Sequence, residues 1–390
     1  MRCVYLDNSS TTKQAEEVTE KIRRTAEEQF GNPSSLHQLG VEAENKVSEA
    51  RKRFADAVGA RPDEIFFNSG GTEGDNTVLF GLASAYRREK KNIVTTKVEH
   101  PAVLEACRML RDFGFEIREV PVDRSCRVSL SDFEDRIDDQ TILVSMMAVN
   151  NEIGTILPVR EAAQLAHRRH TLFHTDAVQA FGKMDLRGTG ADLLTVSSHK
   201  VHGPKGVGAM MVKKGTKIRP LIVGGGQERH FRSGTENVPG ISGFGEAVRL
   251  LNENSNGAEA DMKAVRQHLL DEIRRNVPDI VVNSPDVSEE DLPGSGICSV
   301  LNISFLGTRG EVLLHTLEQD GIYVSTGSAC SSNKKGKSHV LTAMGLSDEE
   351  IDGTLRFSFS RYNTIEEMDY AAEKIELAVK KFRKLRSFMR

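Results

Sequence analysis

Cysteine is scarce in this 390-residue chain, and its five copies, Cys3, Cys107, Cys126, Cys298 and Cys330, are scattered without a CxxC pair. An odd, dispersed set argues against a disulfide framework and against a thiolate zinc site, and leaves room for one reactive thiol among structural ones. An excess of charge of either sign is also missing. A net charge of −4 gives no general attraction to nucleic acid or to an anionic membrane. No apolar run is long enough to span a bilayer, and the opening "MRCVYLDNSSTT" lacks the basic and apolar regions of a signal peptide. The expectation is a cytoplasmic protein with small-molecule or protein partners, no membrane association and no direct nucleic acid binding. No internal repeat or low-complexity segment stands out.

What is present is an ordinary globular composition, 38% hydrophobic and 28% charged, in a chain longer than one core usually organises. From about residue 61, short β-rich runs ("EIFFN", "NIVTT", "TILVSMMA", "TLFHTD", "LLTVSS") alternate with helical stretches, which predicts an α/β protein with a mainly parallel sheet covered on both faces. Two helices are expected before it, over 13–29 and 35–58, the second ending at Gly59. A polar break is read at 251–261, then strands at 297–305, 322–325 and 354–360, and a last helix opened by a Thr364/Glu367 capping box. The expected division is a large unit over 16–257 and a smaller α+β unit formed by 1–15 and 258–390.

Several of the β-rich runs end in reactive groups. In "SSHKVHGPKGVGAMMV", Ser197, Ser198, His199 and Lys200 follow a strand, and strand C-terminal ends are where open α/β sheets collect ligands. A lysine with hydroxyl and imidazole donors beside it suits an anionic, carbonyl-bearing cofactor, for which pyridoxal phosphate is the natural candidate; a surface lysine in a polar loop is the competing reading. "FFNSGGTEGDN" runs strand, Gly70, Gly71, Thr72 and then helix, a candidate phosphate cradle, although strand-to-helix turns often use glycine for geometry alone. "HTDAVQ" offers Asp176 to a pyridine nitrogen and "KVEHPAV" offers His100 to stack or move a proton, each with a structural alternative as cap or hydrogen-bonded core residue. The "HRRH" run at 167–170 reads as a helix end, and no metal site is expected.

These stretches, together with "YLDNSSTT", "FGNPSS", "VNNEIGT", "GGGQERHFRSGTENVPGI", "STGSAC" and "LRFSFSRYNT", resemble end to end the cysteine desulfurases of the NifS/IscS type, within the fold-type I pyridoxal-phosphate enzymes called class V aminotransferases. The resemblance implies a seven-stranded sheet in the large unit and a homodimer. It implies that Lys200 carries the cofactor covalently, that His100 stacks on it and shuttles protons, and that Asp176 pairs with the ring nitrogen and Gln179 with the phenolic oxygen. Gly71, Thr72, Ser197 and His199 would hold the phosphate, Thr235 would reach the neighbouring subunit's phosphate, and Asn151 and Arg356 would grip the substrate carboxylate, with Arg232 nearby. Ser10 and Ser198 stand where the family often has smaller residues.

In "STGSACSSNKKGKSHV", residues 325–340, Cys330 sits in a stretch with no apolar period, which reads as a solvated loop. The resemblance makes Cys330 the nucleophile on a mobile tether over about 326–340, taking sulfur from L-cysteine, releasing L-alanine and passing its persulfide to an acceptor such as an iron-sulfur scaffold or a thiolation pathway. Lys334, Lys335 and Lys337 read equally as thiolate-favouring and as solubilising charges. Selenocysteine lyase or another class V aminotransferase is the alternative; a non-catalytic scaffold is disfavoured because Lys200 stands in full context.

Overall fold

The computed structural model describes residues 2–88, 91–253, 255–287, 292–326 and 337–388, with 255–258 and 386–388 described by backbone alone. Cys330, Lys334 and Lys335 lie outside the described residues.

In chain order the elements of the first half are β1 (Val4–Tyr5), α1 (Glu16–Glu28), α2 (Gln38–Val58), β2 (Ile65–Asn68), α3 (Gly71–Tyr86), β3 (Asn92–Thr96), α4 (Pro101–Asp112), β4 (Glu116–Val120), α5 (Leu130–Glu134), β5 (Thr141–Ser145), α6 (Val159–Arg168), β6 (Leu172–Asp176) and β7 (Leu193–Ser197). They are followed by β8 (Gly208–Val212), α7 (Val238–Glu253), α8 (Ser255–Asn276), β9 (Ile280–Val282), β10 (Val300–Phe305), α9 (Gly310–Gln319), β11 (Ile322–Tyr323), α10 (His339–Ala343), α11 (Asp348–Asp352), β12 (Thr354–Ser358) and α12 (Ile365–Phe388).

Seven strands form the central sheet in the order β2-β8-β7-β6-β5-β3-β4, and β8 runs against its two neighbours while the other pairings are parallel. β3, β5, β7 and β8 are buried along their whole length, as strands sandwiched between helices must be, and their Val, Ile, Leu and Met side chains pack on both faces. One face is covered by α1, α2, α6 and α7 and the other by α3 and α4. Sequence periodicity passes over two of the seven strands. β4 is an edge strand whose Glu116, Arg118 and Glu119 stay near solvent and blunt the edge, and β8 follows the Gly/Pro-rich turn that reads as loop.

A second core joins β1 and the antiparallel sheet β12-β10-β9 to α8, α9 and α12. The Thr364/Glu367 capping box is formed at the start of α12, the two backbone N–H groups being taken at 3.1 and 3.2 Å.

Three expectations need correction. The first helix begins at Glu16 because Thr12 and Ala15 donate their N–H groups to His199 and His202 carbonyls, which holds 12–15 extended. The second begins at Gln38, where His37 accepts a capping bond from Gly40, and it ends as expected at Gly59, left-handed at φ 72°. The polar stretch 251–261 is not a break: 251–253 close α7 and 255–261 open α8.

Candidate active site

At the C-terminal ends of β3, β5, β6 and β7, next to the N-terminus of α3, lies a cavity of about 260 Å³. Its walls bring together Gly71, Thr72, His100, Asn151, Asp176, Gln179, Ser197, His199, Lys200 and Arg356. A larger hollow of about 610 Å³ lies beyond Lys200, but its lining mixes Asp56, Asp185 and Glu259 with Lys183, Arg187 and Arg361, with no convergent set of one sign. The chemistry belongs to the smaller cavity.

Each side chain arrives there for a local reason. β2 turns into α3 through Gly70, whose φ of 150° suits glycine, and a Cβ on the facing Gly208 would come within 2.6 Å of Gly70 Cα. The turn points the unpaired N–H groups of the first turn of α3 at the cavity. Glu73 would place a negative charge there, but Arg232 pairs with it at 2.8 Å, and that ion pair together with hydrogen bonds from Ser69 holds its carboxyl below the usual range despite burial. Lys200 ends a short 3-10 turn after β7 and donates to the carbonyls of Ser9 at 2.5 Å and Ser10 at 2.8 Å. The residue before it, His199, is fastened to the arm by its carbonyl, which accepts from Thr12, and by its ring, 3.1 Å from Thr11 Oγ1.

His100 caps α4. Its Nδ1 accepts from Ala102 N at 3.2 Å, so the neutral ring carries its proton on Nε2. Burial, then the charge of Lys200, pushes its pKa down to about 4, so the ring is neutral at physiological pH. Burial also lowers His199 to about 4. Asp176 is buried at the end of β6, accepts from Val178 N at 2.9 Å, and is raised by burial to about 6. Gln179 spans from the Ser9 carbonyl at 2.9 Å to Lys183 at 3.2 Å.

Opposite this floor, Arg356 reaches in from β12. It donates from Nη1 to the Asn151 carbonyl at 2.9 Å and from Nη2 to Asp7 Oδ1 at 2.9 Å and Ser10 Oγ at 2.7 Å. Its Nε, the Asn151 Oδ1 and one oxygen of Asp75 are buried without a hydrogen-bond partner, the last 3.6 Å from His174 Nε2. A cavity whose walls hold such atoms is shaped for a polar occupant.

Two predicted residues, Thr235 and Arg232, lie elsewhere. Thr235 lines a separate hollow with Ser69, Gly206 and Arg232, so within one chain neither Thr235 nor Arg232 lines the cavity of Lys200. Cys330 falls between Thr326 and Lys337, outside the described residues, but both flanks are placed. Ser325 pairs with the backbone of Arg356, Ser338 donates to the buried Glu152 at 2.6 Å, and His339 Nε2 contacts the Glu99 carbonyl at 2.9 Å. Among the other cysteines Cys107, Cys126 and Cys298 are buried, and burial pushes the Cys107 thiol up to about 12 and raises Cys126. These are packing residues.

Sequence reading also missed residues that the fold brings to the site: Asp7, Asp75 and Glu99. Asp75 lies one helical turn after Gly71 on α3 and is fully buried, and burial with the nearby Asp176 raises its carboxyl well above the usual range. Glu99, beside His100, accepts from Thr96 Oγ1 at 2.6 Å and from Met147 N, and burial pushes it up to about 8.

Comparison with known proteins agrees over the whole chain. The sequence model of the aminotransferase class-V family matches residues 4–371. A relative named cysteine desulfurase IscS, from Dictyoglomus turgidum, is 43% identical over 384 residues, 98% of this chain and 96% of its own length. Among solved structures, a NifS-like protein superposes with a TM-score of 0.90 at 38% identity, covering 97% of this chain and all of the other. SspA in complex with cysteine superposes with a TM-score of 0.81 at 32% identity, covering 93% of this chain and all of that one.

Proposed function

The chain belongs to the aminotransferase class-V family, and from that premise we propose that it is a pyridoxal-phosphate-dependent cysteine desulfurase that releases L-alanine and keeps the sulfur on Cys330 as a persulfide. One observation carries the reading: Lys200, Asp176 and Arg356 converge on one cavity, and the segment that holds Cys330 is flanked on one side by Ser325, which pairs with Arg356, and on the other by Ser338 and His339, which bond to Glu152 and Glu99, the sequence neighbours of the lining residues Asn151 and His100.

The residues fit the cofactor group by group. The N-terminus of α3 with Thr72, Ser197 and His199 would hold a phosphate, Asp176 a pyridine nitrogen, Gln179 a phenolic oxygen and Lys200 an aldehyde. When bound, the cofactor supplies an electrophilic carbonyl and a ring that withdraws electrons from the substrate Cα. The chain's own part is then positional. Asp176, buried at the end of β6, would pair with a protonated ring nitrogen, whose positive charge would favour the carboxylate against the cost of burial and so hold the proton there. Lys200, released from its two carbonyl acceptors, would be the base for the Cα proton, and the His100 Nε2–H could return a proton to the substrate carbon skeleton. Arg356 and Asn151, both in the cavity wall, would take the substrate carboxylate. Cys330 thiolate would attack the substrate sulfur, the S–S bond forming as the Cβ–S bond breaks and its electron pair staying on the carbon skeleton, which takes up a proton and leaves as alanine; the tether would then deliver the outer sulfur to an acceptor protein such as an iron-sulfur scaffold.

The same reading makes residues 16–257 the cofactor-holding unit, with 1–15 and 258–390 bringing Arg356 and Cys330. It makes the chain a homodimer. Thr235 lines a hollow separate from the Lys200 cavity, and Leu36, Phe30 and Val41 in one stretch of sequence and Val223 in another stay exposed at 100, 67, 52 and 76%, apolar surface that a second copy would cover. Among the described residues no helix is long and apolar enough to cross a membrane, and a cytoplasmic, reducing setting suits a carrier thiol.

The test is the Cys330→Ser variant. Cofactor absorbance at the wild-type position is expected to remain while protein persulfide and alanine formation from L-cysteine disappear; alanine formation at the wild-type rate would defeat the assignment.

A further inference from the structure

The guanidinium of Arg356 is already spoken for. Both hydrogens of Nη2 are used, one on Asp7 Oδ1 at 2.9 Å and one on Ser10 Oγ at 2.7 Å, and Nη1 donates to the Asn151 carbonyl. Ser10 in turn donates to Asp7 Oδ1 at 2.8 Å, which closes a ring of three and fixes the Asp7 carboxylate against the arginine. Only 3% of the Arg356 side chain and 21% of the Asp7 side chain are exposed, so little water weakens the pair. A carboxylate takes a guanidinium most strongly through two parallel N–H···O bonds, side-on across Nε and Nη2 or end-on across Nη1 and Nη2. Both approaches need an Nη2 hydrogen. Nε makes no hydrogen bond but is buried, so an incoming carboxylate gains a two-point grip on the guanidinium only by displacing Ser10 or Asp7.

We propose that Asp7 is a specificity-determining residue, a resident carboxylate that competes with the substrate carboxylate for Arg356 and so weakens the site's hold on amino acids. The inference rests on the desulfurase reading insofar as L-cysteine enters and L-alanine leaves. A site that must release a product bearing the same carboxylate as its substrate gains turnover from a built-in competitor, because uniform tight binding of both would slow release. Neighbouring groups fit this role. Tyr5, raised to about 12 by its own burial and then by the charge of Asp7, stays protonated and donates to Thr11, so it adds no charge. Lys200 is held by the backbone of the same arm rather than by Asp7.

The decisive experiment compares the cofactor-loaded wild type with Asp7→Asn by spectral titration with L-alanine and with L-alaninamide, which lacks the carboxylate. The expected result is a dissociation constant for alanine about tenfold lower in the variant with alaninamide unchanged. KM for L-cysteine should fall with it, and kcat should fall as alanine leaves more slowly. Unchanged or weaker alanine binding, or an equal gain for alaninamide, would overturn the proposal. If Asp7→Asn does not fold or load cofactor, Ser10→Ala frees one Nη2 hydrogen and should tighten alanine in the same direction by roughly two- to threefold; no tightening there overturns it equally. If the wild type makes no alanine from cysteine, the desulfurase reading falls, and the alanine and alaninamide titrations still decide the role of Asp7.

Discussion

The floor and the rim of this cavity are built on opposite plans. On the floor, Asp75, Glu99, His100 and Asp176 sit at strand ends or on the helices that follow them, and burial displaces the protonation of all four. Their charge states are set by the fold before any ligand arrives. On the rim, Asp7, Ser10, Asn151 and Arg356 come from three distant parts of the chain, and two of them keep a buried hydrogen-bonding atom unpaired. Here the fold supplies a sum of charges near zero and leaves the ligand to choose the final pairing. The difference is what a reaction in two parts needs: a fixed electrostatic environment for the chemistry, and exchangeable contacts where molecules enter and leave.

If the floor is electrostatic in this sense, the largest effect in the molecule after loss of Cys330 belongs to its anion. Asp176→Asn should keep the shape of the site and the covalent attachment at Lys200 yet lower kcat by on the order of 10²–10³. Single-turnover alanine formation with the cofactor spectrum recorded in parallel checks it; a loss below tenfold would mean that the ring nitrogen is not where Asp176 points. Glu99 provides a test on stability. Its ordinary value of 4.5 is pushed up to about 8, chiefly by burial, so the folded chain holds this proton more tightly than the unfolded one. The stability tied to the protonated form is complete below about pH 4.5 and is lost as pH rises through 8. Glu99→Gln removes the titration, so the cofactor-free variant should be more stable than wild type at pH 8, by up to a few kcal/mol, and differ little near pH 5. Thermal unfolding at the two pH values reads it directly; parallel wild-type and variant curves would place the floor's charge elsewhere.

The same contrast explains what could be read in the sequence. Floor residues follow β-rich runs, and a lysine, a histidine and an aspartate at successive strand ends advertise themselves because strand ends in such sheets gather ligands. Even there two residues escape the local pattern. Asp75 hides in a helical pattern, one turn past Gly71 on the face that the glycine presents, and Glu99 is overshadowed by the histidine after it; in both cases the phase of the helix or the adjacency was the available signal. The rim is harder because its contacts are long-range. Asp7 meets Arg356 across 349 positions, through an arm that pairs with β12 at Ser358 and is fastened by Thr12 to the carbonyl of His199. Nothing in the local pattern of "YLDNSSTT" gives that pairing. Secondary structure failed where local chemistry was ambiguous: β4 carries the charges of an edge, and Asn and Gly in 251–261 suggest a break that the surface of a helix tolerates.

A smaller effect than that of Asp176 concerns geometry alone and so separates the rim from the floor most finely. Arg356→Lys keeps the charge and removes the fork. A lysine ammonium could still meet Asp7, since one contact suffices for a point charge, but it could not serve Asp7, Ser10, Asn151 and a substrate carboxylate from fixed planar positions. If the rim works by exchanging partners on one rigid plane, kcat/KM for L-cysteine should fall by about 10- to 100-fold, mostly through KM, because the lost contact is made to substrate and transition state alike. The cofactor spectrum and its pH dependence, properties of the floor, should not move. A drop in kcat of the same size at unchanged KM would show that Arg356 acts on the chemistry itself, and the division between a floor that fixes charge and a rim that trades it would have to be given up.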